Sequence, residues 1–186
     1  MTILLGLIFE GFLRRLFKPG LDSYYLVNKL FDLESFKIAV VVVAPAIILH
    51  ELAHKFVALS FGMYATFHAA YSWLFLGLLM RIFGFPFIFF VPAYVSILGE
   101  GSYLQYALIA AAGPFMNLLI WFVSSLMVRH AKKRSGFRRG FRRNKLYLPV
   151  LMLTARINLF LFIFNMLPIP GFDGFKFFFG LIKAIF

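Results

Sequence analysis

The sequence contains no cysteine, which excludes disulfide bonds and thiolate metal ligands. It is also poor in acidic residues, with seven Asp and Glu against 19 Lys and Arg, so few carboxylates could serve as metal ligands or as general bases. Internal repeats and low-complexity linkers are absent from the sequence as well. We therefore expect a single domain in which any carboxylate chemistry depends on very few residues.

Hydrophobic residues are abundant: they make up 62% of the 186 residues, and 27 of them are Phe. A soluble domain is only about half apolar. Several segments also reach the roughly 20 apolar residues that a helix needs to cross a bilayer. The composition predicts an all-α, multi-pass integral membrane protein, which we expect in the cell membrane.

Three segments predict transmembrane helices, and they cover residues 36–62, 103–128 and 146–167. Residues 1–35 mix apolar and charged positions, which predicts an interfacial helix or a short membrane segment that precedes the core of residues 36–186. Residues 64–100 are apolar but interrupted by proline and glycine. Because an open strand cannot face lipid, we expect a re-entrant loop with some β character there.

Nine of the 19 basic residues lie between Arg129 and Lys145. Such a loop predicts binding to anionic lipid headgroups, worth about 1 kcal/mol per basic residue. Too few aromatic residues accompany it for base stacking, so no nucleic-acid partner is expected. The positive-inside rule places this loop and residues 1–37 in the cytoplasm, and the first span would then end on the opposite face.

The segment His50-Glu51-Leu52-Ala53-His54 ends an apolar run, where ionisable side chains are costly and usually functional. On a helix, His50 and His54 share one face and Glu51 lies beside them. This is the spacing of two zinc ligands and a general base, although two structural histidines would show the same pattern. A catalytic zinc has three protein ligands and one open position. The candidates for the third ligand outside the N-terminal segment are His68, Glu100, His130 and Asp173.

Asp173 follows a break in the third predicted helix, because Pro168, Pro170 and Gly171 interrupt it. Non-helical chain at membrane depth must be buried or line a wet cavity. This break therefore favours Asp173 among the candidates, although a helix-terminating turn with a surface aspartate remains the simpler interpretation.

Three motifs occur in a fixed order along the chain: His50-Glu51-x-x-His54, Gly113-Pro114-x-x-Asn117 and Asn165-x-x-Pro168 followed by Asp173-Gly174. Together they resemble the site-2 proteases, which are intramembrane zinc metalloproteases. The resemblance covers about residues 38–176 and implies a minimal member without PDZ or CBS domains. Gly171-Phe172 and Phe175 depart from the residues that are usual around the aspartate, but they leave the expected ligand intact.

The resemblance implies that His50, His54 and Asp173 bind one zinc ion per chain and that Glu51 acts on the attacking water. It implies that Asn165 is catalytic by polarising the substrate, and that Asn117 helps to position the substrate. A similar loop beside the active site would hold the substrate through Pro92, Ala93, Tyr94 and Val95. The substrate would be a transmembrane protein that is cut within or near its membrane segment. The family also implies a site near the cytoplasmic face, which conflicts with the orientation that the basic residues predict.

Two other classes of protein fit parts of the pattern. A membrane zinc transporter or a non-catalytic zinc-binding membrane protein would need the ligands but not a general base. A membrane zinc peptidase of the prenyl-protein-processing kind would use a glutamate as its third ligand, and Glu100 is the residue that could supply it.

Overall fold

The computed structural model describes residues 1–17, 32–83, 93–135 and 147–186. In these ranges the chain forms six helices and two strands. In chain order they are α1 (Thr2–Phe17), α2 (Leu33–Ser60), β1 (Tyr64–Ala69), α3 (Tyr71–Ile82), β2 (Ala93–Leu98), α4 (Tyr103–Ser135), α5 (Tyr147–Asn165) and α6 (Asp173–Ile185).

Three helices are long and apolar enough to cross a membrane: α2, α4 and α5. They coincide with the three predicted spans, and the predicted fold class is thereby confirmed. The largest difference is at the end of α4, which continues to Ser135 instead of ending near Val128. Lys and Arg are good helix formers and are favourable near a helix C-terminus, so the start of the basic segment extends the helix. The remainder of that segment, from residue 136, lies outside the described residues.

The predicted β character of residues 64–100 is confirmed, because β1 and β2 pair in a two-stranded sheet. The helix between them, α3, has 12 residues and is too short to span a bilayer. Residues 84–92, including Pro92 of the predicted substrate loop, lie outside the described residues.

The chain divides into two compact units, one formed by residues 1–47 and 68–94 and the other by residues 48–67 and 95–186. The predicted boundary at residue 35 stays a prediction. In the first unit α1 packs against α3. Gly6 of α1 allows a close approach of α2, because a Cβ there would meet Val40 Cγ2 at 2.6 Å and Phe36 Cε2 at 2.7 Å.

The first unit contains a buried ion pair between Glu10 and Arg81. The Glu10 side chain is fully buried. Arg81 donates to one of its carboxylate oxygens and also to the carbonyl oxygen of Leu7. The backbone N–H of Asp32 donates to the other oxygen of Glu10 at 2.9 Å. The buried carboxylate therefore has both a cationic partner and a hydrogen-bond donor within the chain.

In the second unit α4 packs against both α5 and α6. A small apolar cluster of Ala58, Met63, Ala65 and Ile109 joins α2, β1 and α4, and Val95 and Ile97 of β2 pack against it. Alternate residues of a strand point to the same face, which explains why these two β2 residues pack together. The cluster fixes the position of Ile109, whose carbonyl oxygen is part of the site described next.

Candidate metal centre

Three side chains that the sequence places far apart converge in the second unit. His50 and His54 lie one turn apart on α2 and are only 6% and 7% exposed. Their Nε2 atoms are 3.1 Å apart. Asp173, at the start of α6, places Oδ2 3.1 Å from Nε2 of His50 and 3.2 Å from Nε2 of His54. The three atoms form a nearly equilateral triangle.

The size of this triangle fits a zinc ion. Zinc–ligand bonds of about 2.0–2.1 Å at tetrahedral angles place neighbouring ligand atoms roughly 3.3 Å apart. Among the described residues, His50, His54 and Asp173 form the group of His, Asp or Glu side chains whose ligand atoms converge closely enough to hold a metal ion. Two imidazoles and one carboxylate leave a fourth tetrahedral position, as catalytic zinc sites require.

The ring of His54 is held in the orientation that a metal ligand needs. Its Nδ1 lies 2.7 Å from the carbonyl oxygen of Ile109. A carbonyl oxygen only accepts hydrogen bonds, so Nδ1 carries the proton and donates it. The lone pair of the neutral ring is then on Nε2, which faces His50 and Asp173. Such a partner on the outer nitrogen is usual for histidines that bind metals.

Helix α4 lies directly against the ligand nitrogens at Gly113. A Cβ at this position would collide with Nε2 of His54 and would lie 2.6 Å from Nε2 of His50. Only glycine has no Cβ, and so this residue permits the backbone of α4 to come this close to the site. Ile109, one turn before Gly113 on α4, holds His54, and the same helix thus contacts both histidines.

Asp173 reaches the site because α5 ends at Asn165 and α6 begins at Asp173 itself. The intervening chain includes Gly171, whose φ of 100° lies in the left-handed region that glycine tolerates. The start of α6 then packs tightly against the end of α5: a Cβ on Gly174 would collide with the backbone carbonyl group of Met166. The helix break predicted from the sequence is confirmed, and it places Asp173 in the site.

The carboxylate of Asp173 uses its two oxygens differently. Oδ2 faces the histidines, whereas Oδ1 lies 3.9 Å from Nζ of Lys176, whose side chain is 65% exposed. A carboxylate binds a metal in its ionised form, so Oδ2 of Asp173 would be a charged ligand.

The structure places the other predicted site residues as follows. Glu51 is half-buried on α2, directly after His50. Asn117, on α4, is fully buried. Asn165 is half-buried at the end of α5.

The remaining candidates for the third ligand lie elsewhere. His68 is exposed on β1, where its ring stacks on Tyr94 at 5.3 Å. Glu100 is exposed after β2. His130 is exposed on α4, and its Nδ1 lies 3.1 Å from the carbonyl oxygen of Leu126. Because none of the three belongs to the converging group, the structure favours Asp173 over Glu100.

The predicted substrate loop is described in part. Ala93, Tyr94 and Val95 begin β2. Ala93 is fully buried, Tyr94 is exposed and Val95 is half-buried. Their role in holding a substrate stays a prediction.

Three contributors to the site were not anticipated from the sequence. The carbonyl oxygen of Ile109 has no signal in the sequence, because every residue has one. Gly113 is part of a recognised motif, and its position four residues before Asn117 on one helix face could have indicated a close approach to the histidines. Lys176 follows Asp173 by three residues, a spacing that brings the two side chains together on a helix.

Comparison with known proteins gives an informative match. No family model and no solved structure matches the chain. A protein of Methanocaldococcus jannaschii, named "putative zinc metalloprotease", is 36% identical over 150 residues, which cover 78% of this chain and 71% of that protein. Identity at this level over most of both sequences shows common descent, and it agrees with the motifs, the helices and the ligand geometry. The chain belongs to the family of this zinc metalloprotease, and the family recognised from the sequence motifs is thereby confirmed.

Proposed function

We propose that the chain is an intramembrane zinc endopeptidase of the site-2 protease kind, which cuts peptide bonds within or near transmembrane segments. The observation that supports this most directly is the position of the converging ligands. Two of them lie on α2, which is long and apolar enough to cross a membrane, and Glu51 lies on the same helix. A metal site with an adjacent general base on such a helix suits a substrate that is itself in the membrane.

His50, His54 and Asp173 would hold the zinc ion, since their three ligand atoms fit its bond lengths. When bound, zinc lowers the pKa of water to about 7 and polarises a carbonyl group. Glu51 is placed to take a proton from the attacking water and to pass it to the leaving amine. On α2 it precedes His54 by three residues, a spacing that brings two side chains together on a helix.

Asn165 supports the same reaction. It is half-buried at the end of α5, just before the turn that leads to Asp173. Its side-chain amide can donate a hydrogen bond to the oxygen on which charge develops during the attack. In other hydrolases such a contact is worth roughly 3 kcal/mol of transition-state stabilisation.

A transmembrane substrate must lose some of its helical hydrogen bonds before it can be cut. Strand β2 could replace them: β1 pairs with one of its edges, and among the described residues no strand pairs with the other. Val95 and Ile97 pack against the cluster that contains Ile109, the residue that holds His54. An unwound substrate strand added to β2 would thus be supported by the same cluster as the zinc ligand.

We extend the proposal to the surroundings of the enzyme. Its substrates would be transmembrane proteins, and the basic segment of residues 129–145 would bind anionic lipid headgroups. Within that segment Arg129 and Lys133 are exposed at the end of α4, as such binding requires.

The substitution Glu51→Gln tests the proposed reaction. We would reconstitute the purified chain into liposomes together with a single-span reporter whose apolar segment contains a Gly-Pro pair. We expect the wild-type protein to cut this reporter inside the apolar segment, as mapped by mass spectrometry. Glu51→Gln removes the proton acceptor but leaves the three ligands, so it should bind one zinc per chain and lose cleavage by more than about 100-fold.

Two matched controls make this experiment specific. His130→Ala removes an exposed histidine outside the converging group and should leave cleavage unchanged. A reporter with a polyleucine segment should be cut far more slowly, because its helix resists unwinding. Cleavage by Glu51→Gln at the wild-type rate would overturn the proposal. Zinc flux into liposomes without cleavage would favour the transporter instead.

A further inference from the structure

Two buried polar groups beside the metal centre have no hydrogen-bond partner among the described residues. They are Nδ1 of His50 and the side-chain amide of Asn117. Asn117 is fully buried, and His50 is 6% exposed. A buried donor or acceptor that stays unpaired costs roughly 1–3 kcal/mol, and so two neighbouring groups of this kind call for a physical reason.

The two residues are neighbours on facing helices. The side chain of Asn117 lies within interaction range of the ring of His50, although the two make no hydrogen bond in the described structure. Asn117 also follows Gly113 by four residues on α4, and therefore lies on the same helix face one turn further along. Gly113 faces the Nε2 atoms of both histidines. This face of α4 thus presents Ile109 to His54 and Asn117 to His50.

The two histidines need the same tautomer. Nε2 of each ring faces Asp173 and the other histidine. For a neutral ring to direct a lone pair from Nε2, its proton must be on Nδ1, where it needs an acceptor. His54 finds its acceptor in the carbonyl oxygen of Ile109. Asn117, on the helix that faces His50, carries an amide oxygen that is able to accept such a hydrogen bond.

We propose that Asn117 is a positioning residue of the metal centre: its amide oxygen accepts the Nδ1–H of His50 and so holds the Nε2 lone pair of that ring toward the metal. This role differs from direct contact with the substrate, which its full burial disfavours. The inference rests on the metal site of the proposed function, but it does not depend on proteolysis. An amide also provides an acceptor without adding a second negative charge to the buried site.

The test compares zinc affinity in three variants of the full chain. Asn117→Leu has a similar shape but no acceptor, whereas Asn117→Asp keeps an acceptor oxygen. Partners of this kind typically contribute 10–100-fold to metal affinity. We expect Asn117→Leu to weaken zinc binding by about that factor, and Asn117→Asp to restore most of it.

Asn158 offers a matched structural control. It is also fully buried in the second unit, its side-chain nitrogen donates to the carbonyl oxygen of Thr154 at 2.8 Å, and its side-chain oxygen has no partner among the described residues. Asn158→Leu therefore causes comparable packing damage away from the ligands. We expect it to lower the thermal midpoint without changing the zinc affinity of the folded protein.

Zinc affinity would be measured in detergent by competition with a chelator of known affinity. The visible absorption of the Co²⁺-loaded protein would report the ligand geometry. Wild-type affinity and an unchanged Co²⁺ spectrum in Asn117→Leu would overturn the inference, as would equal weakening by Asn158→Leu or no restoration by Asn117→Asp. A wild-type protein that binds no zinc would overturn both proposals. A wild-type protein that binds zinc but does not cut the reporter would contradict the proposed function alone.

Discussion

The protein buries ionisable side chains in two places, and the two places are built differently. In the first unit, Glu10 has Arg81 as its cationic partner and receives a hydrogen bond from the backbone of Asp32. In the second unit, His50, His54 and Asp173 direct three electron-pair donors at one another, all within 3.2 Å. In the first unit the carboxylate pairs with other groups of the chain, whereas the three converging atoms of the second unit are suited to bind a shared cation.

Both sites are buried, so burial does not tell which of them is structural and which is suited to bind a metal. The partners of the buried groups make this distinction. Every ionisable group in an apolar interior is costly, so cost by itself does not reveal function. What distinguishes the second site is the type of its atoms. A carboxylate with a guanidinium completes an ion pair, but two imidazole nitrogens and a carboxylate oxygen at tetrahedral spacing form a ligand set.

The largest effect should come from removing the carboxylate of the second site. Asp173→Ala deletes one of three ligands, and we expect the zinc content to fall from one ion per chain to none. Metal analysis of the purified protein would measure this. Glu100→Ala is the matched control, since it removes an exposed carboxylate outside the converging group and should keep the zinc. Zinc lost only from Glu100→Ala would instead support the prenyl-protein type of site.

The ion pair of the first unit should affect stability instead of metal binding. Arg81→Met removes one partner of the buried ion pair with Glu10, a change that typically costs about 3–5 kcal/mol. We expect a clearly lower thermal midpoint in detergent and an unchanged zinc affinity of the folded protein. Replacing both partners by Met should recover much of the loss. If Arg81→Met bound zinc more weakly while remaining as stable as the wild type, the two sites would not differ as described.

The smallest of the three effects should come from a substitution at Gly113, where α4 lies against the two histidines. In Gly113→Ala the new Cβ would press on Nε2 of both histidines, and we expect zinc affinity to fall by about 10-fold, comparable to the loss of a supporting partner. Gly180→Ala is the matched control, because its Cβ would meet the carbonyl oxygen of Tyr103 at 2.9 Å, away from the ligands. It should change the thermal midpoint only. Equal zinc affinities in the two variants would contradict a role of Gly113 in the site.

The second site was largely predictable from the sequence. The four-residue spacing of His50 and His54 defines a shared helix face, and this holds wherever the helix is placed. Asp173 was one of several candidates by residue type, and its motif and the preceding helix break selected it. Its actual position depends on the contact of Gly174 with the end of α5, which no local pattern encodes.

The first site was not predictable in the same way. In the sequence, Glu10 is one charged residue among several in the N-terminal segment, and Arg81 is an isolated basic residue in an apolar stretch. Their pairing depends on the packing of α1 against α3, a contact between helices that are distant in sequence. Neither residue belongs to a motif. Long-range contacts without a repeated chemical pattern leave no signal in a single sequence.

The separation of the ligands along the chain has a consequence for the making of the enzyme. His54 and Asp173 are 119 residues apart, and a metal held by both acts as a reversible cross-link that closes a long loop. During synthesis the histidines are made well before the aspartate, because they precede it in the chain. The complete ligand set forms only after α4 and α5 are in place and α6 has begun. A nascent chain with α2 alone would therefore lack the third ligand of the proposed site, and metal binding by all three would wait until the second unit has assembled.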